Sequence, residues 1–352
     1  MNDGLFIRTL NGELTERRPL WMLRQAGRYL PEYREIRKEH NFESMSLDPA
    51  IAAEVTLQPI ERFGFDAAVI FADIMSPVRA LGVPFRFDPG PVLESPLRTR
   101  ESIRSLPQPA AEEIAPEVAA TIKIVKRSLE ERSSSSGLPR PAVVGFAAAP
   151  LTLACYLIEG RGNKGFPALR ALLASDPELF GELLASVTDL SIAYLRTQHQ
   201  AGADVVQLFD SWAGTLSAAD WTTHVEPHLK HLCEQLKNEE IPTILFANGA
   251  PALSKNYLEL PSAGNQFCWR TSLSEMRKLT GPVSAGGKIL QGNLDPAVLL
   301  GGPETTKMAA QKVLNEVPAH GHIYNLGHGI DKDTPLESVY ALVETVHNEK
   351  RA

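Results

Sequence analysis

Eight short apolar runs, each bounded by turn residues, alternate with longer stretches of helical periodicity along the 352-residue chain. Alternating strands and helices predict an α/β fold with a parallel sheet covered by helices, because parallel strands need a crossover between them. The predicted strands are PLWML (19–23), DAAVIFA (66–72), PAVVGFA (141–147), DVVQLF (204–209), PTILFA (242–247), NQFCW (265–269), KILQGN (288–293) and HIYNLG (322–327). Eight strands at this length favour a closed (β/α)₈ TIM barrel over an open doubly wound sheet.

The stretches between these runs predict helices, several of which begin with a capping residue followed by proline. Such pairs are Asp48-Pro49, Asp176-Pro177 and Asp295-Pro296. The main helical stretches are 49–63, 112–132, 167–201, 217–238, 304–316 and 335–349. The Pro-rich segment 76–106 contains FRFDPGPVL and predicts a hairpin inserted after the second strand. We see no internal repeat and expect residues 1–352 to form a single barrel domain.

Composition excludes several classes of protein. Lys and Arg number 35 against 42 Asp and Glu, a net charge of −7 that disfavours nucleic-acid binding. Three widely separated cysteines predict no disulfide framework and suit a reducing, cytoplasmic compartment. Residues 1–14 lack the basic and apolar stretches of a secretory signal. The uncharged window 141–158 contains Gly145 and Pro150, so it predicts a buried strand followed by a helix and no membrane segment.

Polar side chains follow the predicted strands, where the active sites of such barrels lie. They are Arg24, Arg28, Asp73, Ser211, Asn248 and His328, with Tyr156 slightly beyond the third strand. Arg24 and Arg28 flank a small turn in RQAGR, and arginine forks bind carboxylates or phosphates in bidentate fashion. Taken alone, the basic segment 17–38 is equally typical of a solvated surface. Asp73 ends the apolar run VIFAD, where a carboxylate needs hydrogen-bond donors that a ligand with N–H groups would supply.

Two further patterns are weaker. GRGNKG (160–165) matches a dinucleotide-binding pattern but follows a helical stretch, so a glycine-rich mobile loop carrying Arg161 and Lys164 over the barrel mouth is the better interpretation. His224, His228 and His231, with Cys233 nearby, have metal-ligand spacing. Their position inside a predicted outer helix favours an exposed histidine face, and we expect no metal site.

The motifs PLWMLRQAGRYLPEYR (19–34) and VIFADI (69–74) resemble the uroporphyrinogen decarboxylase family. Further matches follow in order along nearly the whole chain: FAAAPLTLACYLIEG (146–160), LFDSWAG (208–214), QGNLDP (291–296) and NLGHG (325–329). The resemblance implies a (β/α)₈ barrel, a homodimer and no metal or organic cofactor. It also implies conversion of the tetrapyrrole uroporphyrinogen III to coproporphyrinogen III by decarboxylation of four acetate side chains.

The resemblance implies roles for particular residues. The carboxylate-binding arginines fall on Arg24 and Arg28, together with the backbone of Gln25, Ala26 and Gly27, and the aspartate that gathers the pyrrole N–H groups falls on Asp73. The substrate-contacting tyrosine, serine and histidine fall on Tyr156, Ser211 and His328. Where the family usually has Asp-Trp, this chain has Cys268-Trp269, which leaves a polar role at that position in doubt.

Two other function classes stay open at this point. A zinc-dependent corrinoid or thiol methyltransferase would share the barrel, but those enzymes resemble one another in a His-x-Cys motif at the end of the fifth strand. Here that strand ends Leu245-Phe246-Ala247-Asn248. A binding protein without activity would not require RQAGR and Asp73 together.

Overall fold

Parallel strands form a ring surrounded by helices in the computed structural model, which describes residues 4–88, 90–163 and 165–349. Residues 1–3 of the N-terminal segment and Lys164 of the glycine-rich loop therefore lie outside the described residues. The strands are β1 (Ala67–Val69), β2 (Phe85–Phe87), β3 (Pro91–Leu93), β4 (Ala142–Ala148), β5 (Val205–Asp210), β6 (Thr243–Ala247), β7 (Gly264–Phe267), β8 (Ile289–Leu294) and β9 (His322–Leu326). The parallel sheet has the order β1-β4-β5-β6-β7-β8-β9, which confirms the predicted α/β barrel class.

The segment 19–21 closes the ring between β9 and β1. The N–H of Tyr324 donates to the carbonyl of Pro19 at 2.8 Å, and the N–H of Trp21 donates to the carbonyl of Tyr324 at 3.3 Å. On the other side, the N–H of Asp66 donates to the carbonyl of Leu20 at 2.9 Å. The predicted first strand at 19–23 is therefore reduced to a single β-bridge, Leu20 to Tyr324, because the chain turns away directly after it.

Helices cover the outside of the ring and connect its strands. They are α1 (Leu5–Leu10), α2 (Pro31–Glu39), α3 (Phe42–Leu47), α4 (Pro49–Phe63), α5 (Arg100–Arg104), α6 (Pro116–Ser136), α7 (Pro150–Glu159), α8 (Pro167–Ser175), α9 (Pro177–Ala201), α10 (Ala218–His224), α11 (Glu226–Asn238), α12 (Ser254–Glu259), α13 (Leu273–Thr280), α14 (Pro303–Glu316) and α15 (Leu336–His347). No described helix has the length and apolar character needed to cross a membrane.

Prolines divide two of the predicted helices. The stretch predicted as one helix at 167–201 divides into α8 and α9, because Asp176 caps a new helix that begins at Pro177. The stretch at 217–238 divides at Val225, just before Pro227. Proline lacks the N–H that a continuing helix would use. The Asp48 and Asp176 side chains both accept backbone N–H bonds as predicted, whereas Asp295 caps a short 3₁₀ helix, Pro296–Gly301.

The segment after β1 contains the predicted hairpin. Strands β2 and β3 pair antiparallel, with Phe85 opposite Leu93 and Phe87 opposite Pro91. Its second strand continues against the loop after α7, because the N–H of Leu93 donates to the carbonyl of Gly160 at 2.7 Å. The hairpin is therefore held beside the barrel mouth.

A cluster of amides fills part of the barrel interior. Gln207 on β5, Gln266 on β7 and Gln291 on β8 are buried and bond to one another at 2.5 to 3.1 Å. The indole N–H of Trp21 donates to Gln291 at 3.0 Å. Buried polar groups need such partners, and this cluster fixes the position of Trp21, whose ring faces the barrel mouth.

The two ends of the described chain meet at a buried arginine. Arg18 donates to both carboxylate oxygens of Glu349 and, through Nη1, to Nδ1 of His322 at 2.6 Å. Nδ1 therefore accepts, so Nε2 carries the proton that bonds the Gly292 carbonyl at 2.7 Å. Burial lowers the pKa of His322 well below its ordinary value, which keeps this ring neutral.

Candidate active site

A cleft of about 1110 Å³ opens at the carboxyl ends of the barrel strands. All nine residues predicted for the site line it: Arg24, Gln25, Ala26, Gly27, Arg28, Asp73, Tyr156, Ser211 and His328. They come from the loop after Leu20, from the loops after β1, β5 and β9, and from helix α7. The fold therefore gathers at one mouth residues that are up to 304 positions apart in the chain.

Arg24 has an unusual backbone conformation, with φ +59°. A non-glycine residue in this left-handed region is uncommon and strained. Gly329 makes room for its side chain, because a Cβ at that position would lie 2.3 Å from Cδ of Arg24. The Arg24 side chain therefore lies against Gly329 in the lining of the cleft.

The turn between the two arginines offers backbone donors. The N–H groups of Ala26, Gly27 and Arg28 have no hydrogen-bond partner among the described residues. Gln25 differs, because its N–H donates to the Met22 carbonyl and its side chain is fully used: Oε1 accepts from Met22 and Nε2 donates to the Ala67 carbonyl. Gln25 thus anchors the turn to β1, and the following three N–H groups remain open to an anion.

Asp73 follows β1 at the base of the same turn region. Its Oδ1 accepts the N–H of Met75 at 2.8 Å, and no described residue donates to Oδ2. Burial raises the pKa of this carboxyl to about 6, opposed by the Met75 hydrogen bond and by the charges of Arg24 and Arg79. At neutral pH Asp73 is therefore ionised and has one oxygen available for external N–H donors.

A buried carboxylate ties together the elements that carry Tyr156 and Ser211. Asp210, the last residue of β5, accepts from Thr152 on α7 at 2.9 Å and from Tyr257 on α12 at 2.5 Å. Thr152 lies one turn before Tyr156 on α7, and Ser211 directly follows Asp210. Burial raises the pKa of Tyr156, so its phenol stays protonated and can donate a hydrogen bond.

His328 lies in the loop after β9 between aromatic rings. Its ring centroid is 6.3 Å from that of Phe246 and 6.4 Å from that of Trp269. Burial lowers the pKa of His328 to about 4, and the charges of Arg24 and Arg270 act in the same direction. The imidazole is therefore neutral at physiological pH and contributes a hydrogen bond without a positive charge.

This geometry can be compared with known proteins. The family model described as "Uroporphyrinogen decarboxylase (URO-D)" matches residues 1–349. The uroporphyrinogen decarboxylase of Syntrophotalea carbinolica is 42% identical over 350 residues, covering 98% of this chain and 97% of the relative. That of Coxiella burnetii is 41% identical, covering 99% and 95%. The chain belongs to the uroporphyrinogen decarboxylase family.

Solved structures of proteins with other names show the same fold. A methyltransferase from Methanosarcina mazei superposes with a TM-score of 0.81 at 20% identity, covering 98% of both chains. A B12-independent methionine synthase from Shewanella sp. W3-18-1 has a TM-score of 0.56 at 11% identity, with 94% and 95% covered. At such identities the likeness shows the barrel alone.

The residues of the site do not favour the zinc-dependent methyltransferase alternative. Asn248, at the end of β6, lines the cleft and donates to the Ser211 carbonyl at 3.1 Å. In residues 4–88, 90–163 and 165–349, no three His, Cys, Asp or Glu side chains are grouped as metal ligands. The predicted histidine face spans α10 and α11, away from the mouth, with Cys233 buried beneath it.

Cys268, where uroporphyrinogen decarboxylases usually have aspartate, lies beneath the cleft. Its thiol is buried and accepts the N–H of Gly249 at 3.4 Å. The next residue, Trp269, contacts His328 and lies under the Arg270 guanidinium, 4.0 Å from the ring centroid. Cys268 does not line the cleft, whereas its neighbour Trp269 contacts His328, which does.

Sequence reasoning missed several residues of the cleft. Aromatic side chains form much of its wall: Phe71, Phe87, Phe146, Phe209, Trp212 and Phe246. Three further cationic side chains also line it: Arg37, Arg86 and Lys332. Phe146, Phe209 and Phe246 lie at or next to the ends of successive apolar runs, where the sequence predicts core residues. Arg161 of the glycine-rich loop forms a β-bridge with Val92 of the hairpin. Arg161 is not among the described residues that line the cleft.

Proposed function

We propose that this chain converts uroporphyrinogen III into coproporphyrinogen III and CO₂ by removing the carboxyl group from each of four acetate arms, with no cofactor. One observation carries the proposal: the half-buried Asp73, ionised at neutral pH, presents a free carboxylate oxygen in a cleft that also contains Arg24. An acceptor for pyrrole N–H groups beside a cation for carboxylates suits a carboxylated tetrapyrrole. Membership of the uroporphyrinogen decarboxylase family supports the same conclusion.

The substrate itself provides the electron sink. Protonation of a pyrrole ring carbon gives a cation that accepts the electron pair of the breaking C–C bond, so CO₂ leaves and an exocyclic methylene remains. A proton added to that methylene and the loss of the ring proton then give the methyl group. The protein must therefore hold the arm, supply protons and stabilise a positive charge.

Named groups fit these tasks. Asp73 lies where it would accept pyrrole N–H bonds and oppose the cation in a site of low polarity. Arg24, Arg28 and the open N–H groups between them would hold an arm carboxylate, which positions the bond to be broken. Tyr156, Ser211 and the neutral His328 would complete the polar contacts.

The test is anaerobic turnover of uroporphyrinogen III in the presence of a chelator. Products are oxidised and separated by their number of carboxyl groups. We expect seven-, six- and five-carboxyl intermediates followed by coproporphyrin. An absence of decarboxylated products, or activity that requires added zinc, would contradict the proposal and favour the methyltransferase alternative.

Three further features remain proposals. The family resemblance supports a homodimer, which sedimentation velocity would test. Three buried, unpaired cysteines support a cytoplasmic location. A continuous hydrophobic core running from Phe6 to Val346 supports a single domain, and one cooperative unfolding transition would test it.

A further inference from the structure

A second, smaller cavity of about 340 Å³ adjoins the cleft. We call this space the rim cavity. The residues that line it are Arg28, Arg34, Arg37, Lys38, Lys332 and Asp333. Arg28, Arg37 and Lys332 also line the cleft, so the two spaces share a border. The rim cavity has less than a third of the cleft's volume, which suits a carboxylate-bearing arm better than a whole macrocycle.

The rim cavity contains more positive charges than its acidic ion-pair partners neutralise. Lys38 pairs with Glu35, and Lys332 pairs with Asp333. Arg34 and Arg37 donate to backbone carbonyls, and within the described residues neither they nor Arg28 has an ion-pair partner. This surplus lies on a chain whose net charge is −7, so it is local.

Helix α2 accounts for the placement of some of these cations but not of all of them. Arg34, Arg37 and Lys38 occupy i, i+3 and i+4 on α2, and like charges at such spacings repel. The helix dipole favours cations only in the last turn, which accounts for Arg37 and Lys38 but not for Arg34. Lys332 joins them from the loop after β9. Two separate segments therefore converge their cations on one cavity.

We propose that the rim cavity is an encounter site for the carboxylate arms of a porphyrinogen before its ring enters the cleft. The inference rests on the proposed function, because it takes uroporphyrinogen, with eight carboxylates, as the ligand. A concentrated positive field at a cleft mouth attracts a polyanion and raises its association rate. The shared border then lets the arms pass to Arg28 and Arg37 as the ring moves inward.

The experiment compares two variants of equal net charge. One removes two rim cations that lie outside the cleft, by Arg34→Gln and Lys38→Gln, and it leaves Arg24, Arg28, Arg37, Lys332 and Asp73 unchanged. The matched control carries Lys255→Gln and Lys307→Gln, two exposed lysines that line neither cavity. For both, kcat and kcat/KM for uroporphyrinogen are measured across a range of ionic strength.

We expect the rim variant to lose about three- to tenfold in kcat/KM at low salt relative to the control, with kcat unchanged and a flattened salt dependence. Equal kcat/KM for rim variant and control at low salt would overturn the encounter site. A lowered kcat with a defect that persists at high salt would also overturn it, because the cavity would then hold an arm of the molecule already in the cleft. Failure of the proposed function is distinct, since neither wild type nor control would then decarboxylate uroporphyrinogen.

Discussion

Protonation of Asp73 should control activity on the acidic side of neutrality. Burial raises the pKa of this carboxyl to about 6, and kcat/KM reports ionisations of the free enzyme. The protonated carboxyl has lost the charge that opposes the cationic intermediate, so kcat/KM should fall about tenfold per pH unit below pH 6. His328, with a pKa of about 4, cannot produce a transition near 6.

Asp73→Asn is the matched variant for this prediction. Asparagine keeps an oxygen for the N–H of Met75, so the local turn is retained while the charge is removed. Loss of one preorganised electrostatic group in an active site costs about 100- to 1000-fold in kcat, and we expect a loss of that order. The residual activity of the variant should show no transition near pH 6. A transition caused by the substrate's own carboxylates would instead be seen with both proteins.

Stability provides the control against misfolding. The pKa of Asp73 is higher in the folded protein than its ordinary value of 3.8, so the folded state binds more protons between about pH 4 and 6 and wild-type stability falls as pH rises through that window. The difference corresponds to at most about 3 kcal/mol, less where cleft water reaches the carboxylate. Asp73→Asn should therefore unfold at higher urea than wild type at pH 7.5. Near-wild-type turnover by this variant, or a flat wild-type profile from pH 5 to 8, would refute the electrostatic role of Asp73.

Other predictions concern the arginines, metal independence and the buried carboxylate. Arg24→Lys and Arg28→Lys should each lower kcat/KM even at low salt and let partially decarboxylated intermediates accumulate, because lysine cannot make a planar bidentate contact; wild-type kinetics for both would leave only a charge effect. Activity should survive EDTA, and loss that zinc restores would contradict this. Tyr257→Phe removes a donor from buried Asp210 and should cost about 1–3 kcal/mol in urea unfolding, whereas exposed Tyr340→Phe should cost little.

Most of the barrel could be predicted from the sequence, because strands buried on both faces read as continuous apolar runs. Strand β4, in which all seven residues are buried, is an example. The first strand was overpredicted, since PLWML has the same apolar character while backbone-to-backbone hydrogen bonds to β9 and Asp66 extend over only 19–21. The helical periodicity continues across Asp176, so it predicts one helix over 167–201. In the structure Asp176 and Pro177 begin a second helix at that point.

The positions of Arg24, Arg28, Asp73, Ser211 and His328 followed from the rule that barrel chemistry lies at strand ends, whereas Gln25, Ala26 and Gly27 came from the family resemblance; all of them line the cleft. Their roles remain predictions. The left-handed backbone of Arg24 and the space beside Gly329 could not be predicted, because both depend on contacts between residues 305 positions apart. The rim cavity was missed for a similar reason: Arg34 and Lys38 were read within a basic segment, and nothing in that segment indicates that Lys332 joins them.

Closure of the ring by its first segment sets when a newly synthesised chain can become active. Arg18 binds His322 and Glu349, which follow it by 304 and 331 residues, and the bridge at Leu20 needs Tyr324. A ribosome adding about 5–20 residues per second leaves Trp21 and its neighbours without these partners for roughly 15–60 s. During that interval the apolar residues at the start of the barrel lack the partners that bury them in the folded protein. A chain that stops before residue 322 has neither a closed ring nor His328, so translation must pass its final strand before any decarboxylation begins.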